Sequence, residues 1–338
     1  MTRFLLTYLF CLAIIIGPAY SMYVHYDFSH SSDTESYLAM SDGDYNVNPV
    51  HRYRFVIPFA AKIIAIPLQA VYAKLWPHRA ESLWPFQLAY FIINSFITAF
   101  YGWLVYRLLR LYSNRLAAVL IALAAVLTSR WVAYIAGLPL TDSLYLVAIA
   151  ALLYSIKTNN LMLFSITVLS GALAKESFLL FAPLIIFAGP GTWYLRAGLV
   201  AGSLLILFGE HALIDCWLPM QETAAVSKET LVEIFIRHVH KTTTTIGELA
   251  SVRGLGEIFT VFGIFTFILI YGALNSSCRT IWKTAVEKYY WIFFGCILVH
   301  ALISGDAARM FYFGSALYAI LIALTAEHLL THLAAKKL

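Results

Sequence analysis

Read for apolar and polar positions alone, the chain alternates long apolar runs with short polar intervals. The runs fall at about 4 to 22, 55 to 76, 84 to 106, 116 to 136, 140 to 156, 161 to 173, 178 to 190, 197 to 214, 258 to 274, 289 to 303 and 311 to 326. Many approach or exceed the roughly 18 to 20 residues that span a bilayer, and none alternates with the period of a strand. Backbone groups in hydrocarbon must pair within their own segment, so these runs predict helices. The expected fold is all-α: a polytopic transmembrane helical bundle of about 10 spans, forming one integral-membrane domain over 1–338. No fixed-period repeat, low-complexity tract or soluble domain interrupts it.

The longest polar interval runs from His30 to Arg54, HSSDTESYLAMSDGDYNVNPVHRYR, with acids first and bases after. Positive charge orients the rest. With the N-terminus cytoplasmic and 55 to 76 making no net crossing, Arg107, Arg110, Arg115, Lys157, Arg196, Arg279, Lys283, Lys288, Lys336 and Lys337 all lie on the cytoplasmic side. Counting 55 to 76 as a span violates the rule in every later loop. That segment holds Pro58, Lys62, Pro67, Gln69 and Lys74, a poor set for a lipid-immersed helix, and reads as broken or interfacial helices on the outer surface. The alternative is a kinked span with Lys62 turned toward other helices. The outer face then carries a loop over 23–83 with interfacial helices, a loop over 215–257, and the turns at Asp142, at Lys175 with Glu176, and at Asp306 with Arg309. In the 215–257 loop an amphipathic helix capped by Ser227 is expected to run to about His240, as a surface helix or as a gate over a lipid opening.

Composition agrees with the pattern. Hydrophobic residues are 61% and charged residues 12% of 338, and the net charge of +5 reports membrane orientation rather than an anionic polymer, so no nucleic-acid partner is inferred. Cys11, Cys216, Cys278 and Cys296 lack metal-ligand spacing and read as packing residues. Residues 1 to 21 imitate a signal peptide, but in a polytopic chain they read better as an uncleaved first span. An integral, multi-pass protein of a bacterial inner membrane is the expected setting, with its polar face toward the periplasm or exterior.

Several polar residues can carry chemistry. Asp33 and Glu35 can hold a divalent cation such as Mg or Mn, or one can act as a general base; acids in a loop can also be simply solvated. His51, Arg52 and Arg54 return to the membrane edge, where arginine forks suit a lipid-linked phosphate or merely anchor to headgroups. Lys175 and Glu176 break two short apolar half-segments, as a functional pair or as an ion pair capping a hairpin. Asp306 and Arg309 can form a salt bridge three residues apart. Asp142 follows Pro139 and Thr141 and can cap the next helix. Arg130, beside Trp131, can snorkel or contact phosphate. Asp42 and Asp44 flank Gly43 and read as turn residues.

Taken together, these residues resemble the GT-C superfamily of integral-membrane glycosyltransferases, of the protein mannosyltransferase and aminoarabinose transferase type. The likeness lies in a first span followed by an acidic loop (Asp33, Glu35), surface helices, an aspartate opening a later helix (Thr141, Asp142), GALAKESFLLFAP (Gly171 to Pro183) and a late Asp-x-x-Arg (Asp306, Arg309). The resemblance implies a sugar taken from a polyprenyl-phosphate donor, with Asp33 or Glu35 as base. It further implies that Lys175, Arg309, Arg52 and Arg54, with His51 beside them, hold the departing phosphate, while Asp142, Glu176 and Asp306 support them. Asp-x-Glu replaces the family's frequent Asp-x-Asp, and no large soluble domain follows the last span. A glycolipid or cell-surface glycan is therefore the expected acceptor, with membrane lipids around it. A transporter or flippase of lipid-linked sugars, and a non-catalytic glycolipid-binding scaffold, are the competing readings.

Overall fold

The computed structural model describes residues 2–28, 31–219, 231–304 and 306–335, and every regular element among them is a helix. The first third holds α1 (Thr2–His25), α2 (Ser32–Asp42), α3 (Pro49–Arg52), α4 (Val56–Leu75), α5 (Pro77–Ala80) and α6 (Trp84–Leu109). The middle holds α7 (Leu116–Leu127), α8 (Arg130–Gly137), α9 (Asp142–Lys157), α10 (Leu161–Ala174), a 3-10 turn over Glu176–Phe181, α11 (Ala182–Ala188) and α12 (Trp193–Trp217). The last third holds α13 (Leu231–Leu249), α14 (Val252–Phe262), α15 (Thr266–Leu274), α16 (Ser276–Ala285), α17 (Tyr289–Ser304), α18 (Ala307–Tyr312) and α19 (Ser315–Ala335).

Among the described residues, six helical stretches are long and apolar enough to cross a membrane, and up to eight if each of two bent pairs is one span. The chain is therefore an integral membrane protein built as a helical bundle. The expected ten also counts apolar runs that are shorter or bent, such as α10 and the helix pair over Glu176–Ala188. The run 116 to 136 breaks into α7 and α8 with a 58° bend, and α16 meets α17 at 99°. At the first break Ser129 caps α8, its Oγ accepting from Trp131 N, and donates to Val261 O at 2.5 Å. α9 is the central helix, with Leu146, Ile149, Leu152 and Leu153 all buried. Around it the lipid-facing side chains stay exposed, such as Leu6 on α1 and Leu205 and Phe208 on α12, as an apolar solvent permits.

A charged residue stands at each end of α9, Asp142 at its start and Lys157 at its finish. At a rise of 1.5 Å per residue these sixteen residues separate two polar layers by roughly 24 Å. The layer at Lys157 holds Glu287, Tyr112 and Tyr290. α1 and α6 pack antiparallel, Tyr23 stacking on Phe91 near one end and Phe4 meeting Trp103 near the other.

α4 corrects the sequence reading in one respect. It is a single unbroken helix of 20 residues, with Pro67 inside it, and it meets the length and composition of a span. Its contacts are instructive: Pro58 O accepts from Ser41 Oγ of α2 at 3.1 Å, while Tyr72 near its other end reaches Tyr23 at the end of α1. Both ends thus meet elements from the Asp33 side of the bundle. The amphipathic helix expected to end near His240 continues as α13 to Leu249, whereas Ser227, Lys228 and Glu229 lie outside the described residues.

Candidate functional site

Ser31, in an extended conformation, precedes α2, and Asp33 enters its first turn, where the helix N-terminus favours negative charge. The helix ends at Gly43, whose φ of +112° needs a residue without Cβ. Its inner face is pinned by Tyr90, which donates to Tyr37 O at 2.8 Å and lies 2.9 Å from Ser41 Oγ. Asp33 and Tyr37, four residues apart, share that inward face. Glu35, two residues on, points the opposite way; it is exposed and forms no ion pair among the described residues. The expected Asp33 and Glu35 pair is therefore not a joint site.

Asn48 and Pro49 turn the chain back through α3, Asn48 Oδ1 accepting from Val50 N. This returns His51 to α2, with Nε2 3.1 Å from Asp33 Oδ1 and Nδ1 3.0 Å from Ser36 Oγ. A carboxylate only accepts, so Nε2 carries the proton. Arg309 reaches Asp33 from the far end of the chain, Nη1 donating to Oδ2 at 3.1 Å. Burial would raise the Asp33 carboxyl, but the His51 hydrogen bond and the Arg309 charge outweigh it and hold it well below the usual carboxylate range.

The same Arg309 Nη1 lies 3.5 Å from Asp142 Oδ2, and Lys175 Nζ donates to Asp142 Oδ1 at 2.8 Å. Lys175 also sits over the rings of Tyr145 and Phe313, at 5.5 and 5.2 Å. It is delivered by a hairpin in which α10 rises, turns at Glu176–Phe181 and returns as α11. Gly171 permits the turn, since a Cβ there would stand 2.4 Å from the Phe178 ring. Gly189 then passes so near Phe164 that a Cβ would stand 2.3 Å from its ring, which fixes α11 antiparallel to α10.

Glu176 does not bind Lys175, as an ion pair capping the hairpin would require. It forks with Arg54, whose Nη1 also donates to Tyr37 Oη at 3.0 Å. Asp306 caps α18 through Arg309 N at 3.3 Å, and its Oδ2 stands 3.0 Å from Arg309 Nε but off the N–H direction. Asp142 opens α9 without capping it. Arg52 departs most from expectation. It is 1% exposed and bonded through Nε, Nη1 and Nη2 to Asp215, Tyr45 O and Leu218 O, so it ties the chain around the end of α12 together. Arg130 is exposed and stacks on Trp131 at 4.8 Å.

Among the described residues no group of three or more His, Cys, Asp or Glu could hold a metal ion. The chemistry of the donors agrees, for Asp33 and Asp142 are already matched by Arg309, His51 and Lys175, and Glu35 faces away. These carboxylates do not fit the divalent cation considered from sequence.

The sequence reading missed Tyr37, Ser36, Tyr145 and Phe313, which carry no charge to mark them. It also missed Glu210, His211 and Asp215, which it could have found: ionisable residues inside an apolar span are unusual enough to signal function. His211 stacks on Tyr53 at 3.6 Å, and Tyr53 Oη donates to Asp215 at 3.1 Å. Beside them a cavity of about 640 Å³ opens between α12 and the start of α4, its walls including Phe55 and Leu173, close neighbours in sequence of Arg54 and Lys175. Asp33, His51, Arg54, Asp142, Lys175 and Arg309 thus form one largely buried layer, with the half-exposed Glu176 and Asp306 at its edge, that can bind an anion and receive a proton. No protein-family model, curated protein or solved structure matches the chain.

Proposed function

We propose that the chain is a GT-C-like, inverting membrane glycosyltransferase of about ten spans. It moves a sugar from a polyprenyl-phosphate donor to a glycolipid or cell-surface glycan on the non-cytoplasmic face of a bacterial inner membrane. The observation that carries this reading is the meeting of Asp33, Asp142, Lys175 and Arg309, from four distant stretches, in one buried network. Asp33 is the base: the acceptor hydroxyl oxygen attacks the anomeric carbon, its proton passes to the carboxylate, and the bond from that carbon to the phosphate oxygen breaks. Arg309 and Lys175 take up the charge that grows on the leaving phosphate. A carboxylate held as low as Asp33 is a weak base at rest. Drawing Arg309 toward the phosphate removes a cation from Asp33 and raises its basicity as the donor binds. Arg54 and Glu176 brace Tyr37 and the hairpin, and Arg52 and Glu35 drop out of the site.

The contacts of α4 support this orientation, since a helix returning to the Asp33 side leaves the positive-inside count intact. The test is purified chain given a polyprenyl-phosphate sugar, with glycolipid products read by mass spectrometry. Asp33→Asn is expected to abolish transfer and Glu35→Gln to retain it; normal transfer by Asp33→Asn overturns the assignment.

A further inference from the structure

Three ionisable residues stand near the end of α12. Asp215 takes Arg52 Nε at 3.2 Å, and His211 lies flat on Tyr53 with its Nε2 buried and without a hydrogen-bond partner among the described residues. Glu210 is 8% exposed, and both carboxyl oxygens are buried without a hydrogen-bond partner among the described residues. Leaving a carboxyl so is costly, and such a group calls for a partner that arrives from elsewhere.

Among the described residues, the open space beside Glu210 is the cavity of about 640 Å³ that it helps to line. Its other described walls are mainly apolar, among them Phe55, Phe59, Leu173, Leu213 and Trp217, and among the described residues neither lysine nor arginine lines it. A phosphate head would meet no cation among the described lining residues and would face the Glu210 carboxyl, with Glu176 near enough to add its own repulsion. A hydrogen-bond donor on an apolar body meets the opposite: oil for the body and, for the head, a carboxyl whose two oxygens lack a partner among the described residues. The volume suits a ligand of ordinary size, in the range of about 300–1,000 Å³.

We infer that this cavity binds an amphiphile whose polar end donates hydrogen bonds, an ammonium or a hydroxyl, with Glu210 as its anchor. Only the naming of that amphiphile as the transfer acceptor rests on the transferase reading; the binding does not.

Trp217 on the cavity wall supplies the readout. Brominated long-chain amine, alcohol and alkyl phosphate of equal length are titrated into the full chain in phosphatidylcholine nanodiscs. The quenching that disappears in Trp217→Phe reports the cavity. The amine or the alcohol is expected to quench at concentrations roughly tenfold or more below those needed in Glu210→Leu. If the amine is the tighter ligand in wild type and is lost in Glu210→Gln, the head is an ammonium; if the alcohol is the tighter and is retained there, the head is a hydroxyl. Preference for the phosphate, or equal quenching in wild type and Glu210→Leu, overturns the proposal. Thermal melting guards against a folding artefact: Glu210→Leu is expected to melt no lower than wild type, and the amine or alcohol to raise the melting temperature of wild type alone. The two readings fail separately. Normal transfer by Asp33→Asn with Glu210-dependent binding sinks the transferase alone, whereas Glu210-independent binding with an inactive Asp33→Asn sinks the amphiphile site alone.

Discussion

The two polar layers at the ends of α9 are built on opposite plans. At the Lys157 end, Lys157 binds Glu287, with side chains 24% and 34% exposed, and Tyr112 Oη donates to the same carboxylate at 2.7 Å. That tie holds helix ends together in contact with solvent or headgroups. At the Asp142 end the side chains of Asp142, Lys175 and Arg309 are 4%, 7% and 15% exposed, and each leans on another. Burying charge is costly unless every member is matched, so a buried layer is retained for chemistry or specificity, whereas an exposed tie needs neither reason.

Removing the residue that joins both carboxylates gives the largest expected effect. Arg309→Ala leaves Asp33 and Asp142 short of a counter-charge, at a cost of about 3–5 kcal/mol in thermal or denaturant unfolding, and abolishes transfer. Arg309→Lys is expected to recover part of the stability and little transfer, because lysine keeps the charge but not the planar guanidinium, whose Nη1 meets Asp33 and Asp142 while Nε stands beside Asp306. Next comes the Lys175 and Asp142 pair. Lys175→Met alone costs about 3 kcal/mol, and adding Asp142→Leu returns much of it, since an apolar pair of similar volume tolerates burial; transfer stays absent in both.

Asp33→Asn is expected to spare more of the fold while lowering transfer by roughly 10²–10⁴-fold. It also sharpens the acid limit. Because the folded-state value of Asp33 is depressed, its stabilisation is fully present above the unfolded carboxylate value of about 3.9 and is lost as pH falls through the lower folded value. Wild-type melting temperature should therefore drop below about pH 4 more steeply than that of Asp33→Asn. The smallest effect is expected at the other layer, where Lys157→Ala should cost no more than about 1 kcal/mol and leave transfer unchanged. A large loss there would erase the contrast between the two ends.

Much of this was legible in the sequence, for a physical reason. Apolar runs specify helices whatever their neighbours, so the bundle followed from periodicity and length. The bend at Ser129 was hidden, because a Thr-Ser pair in an apolar run reads as tolerable until Val261 supplies an acceptor. α4 was misjudged because Pro67 counted as a break, whereas the 20-residue helix continues through it. In the site, charge marked the residues but not their partners. Lys175 and Glu176 are adjacent in sequence, yet the 3-10 turn sends one to Asp142 and the other to Arg54. Arg52 and Arg54 looked equivalent until burial separated them. Glu210 vanished into the average hydropathy of its span.

The reach of Arg309 to Asp33 sets an order on how the protein is made. The two residues are 276 positions apart. At roughly 5–20 residues per second, a ribosome needs on the order of tens of seconds to travel between them. Throughout that interval Asp33 has His51, only a short loop away, and Asp142 awaits Lys175 from the hairpin that follows it. Each early carboxylate thus receives a local guardian before the arginine arrives to stitch the two halves into one site. A nascent chain stopped before α18 would hold both guarded acids in the membrane and still lack the site.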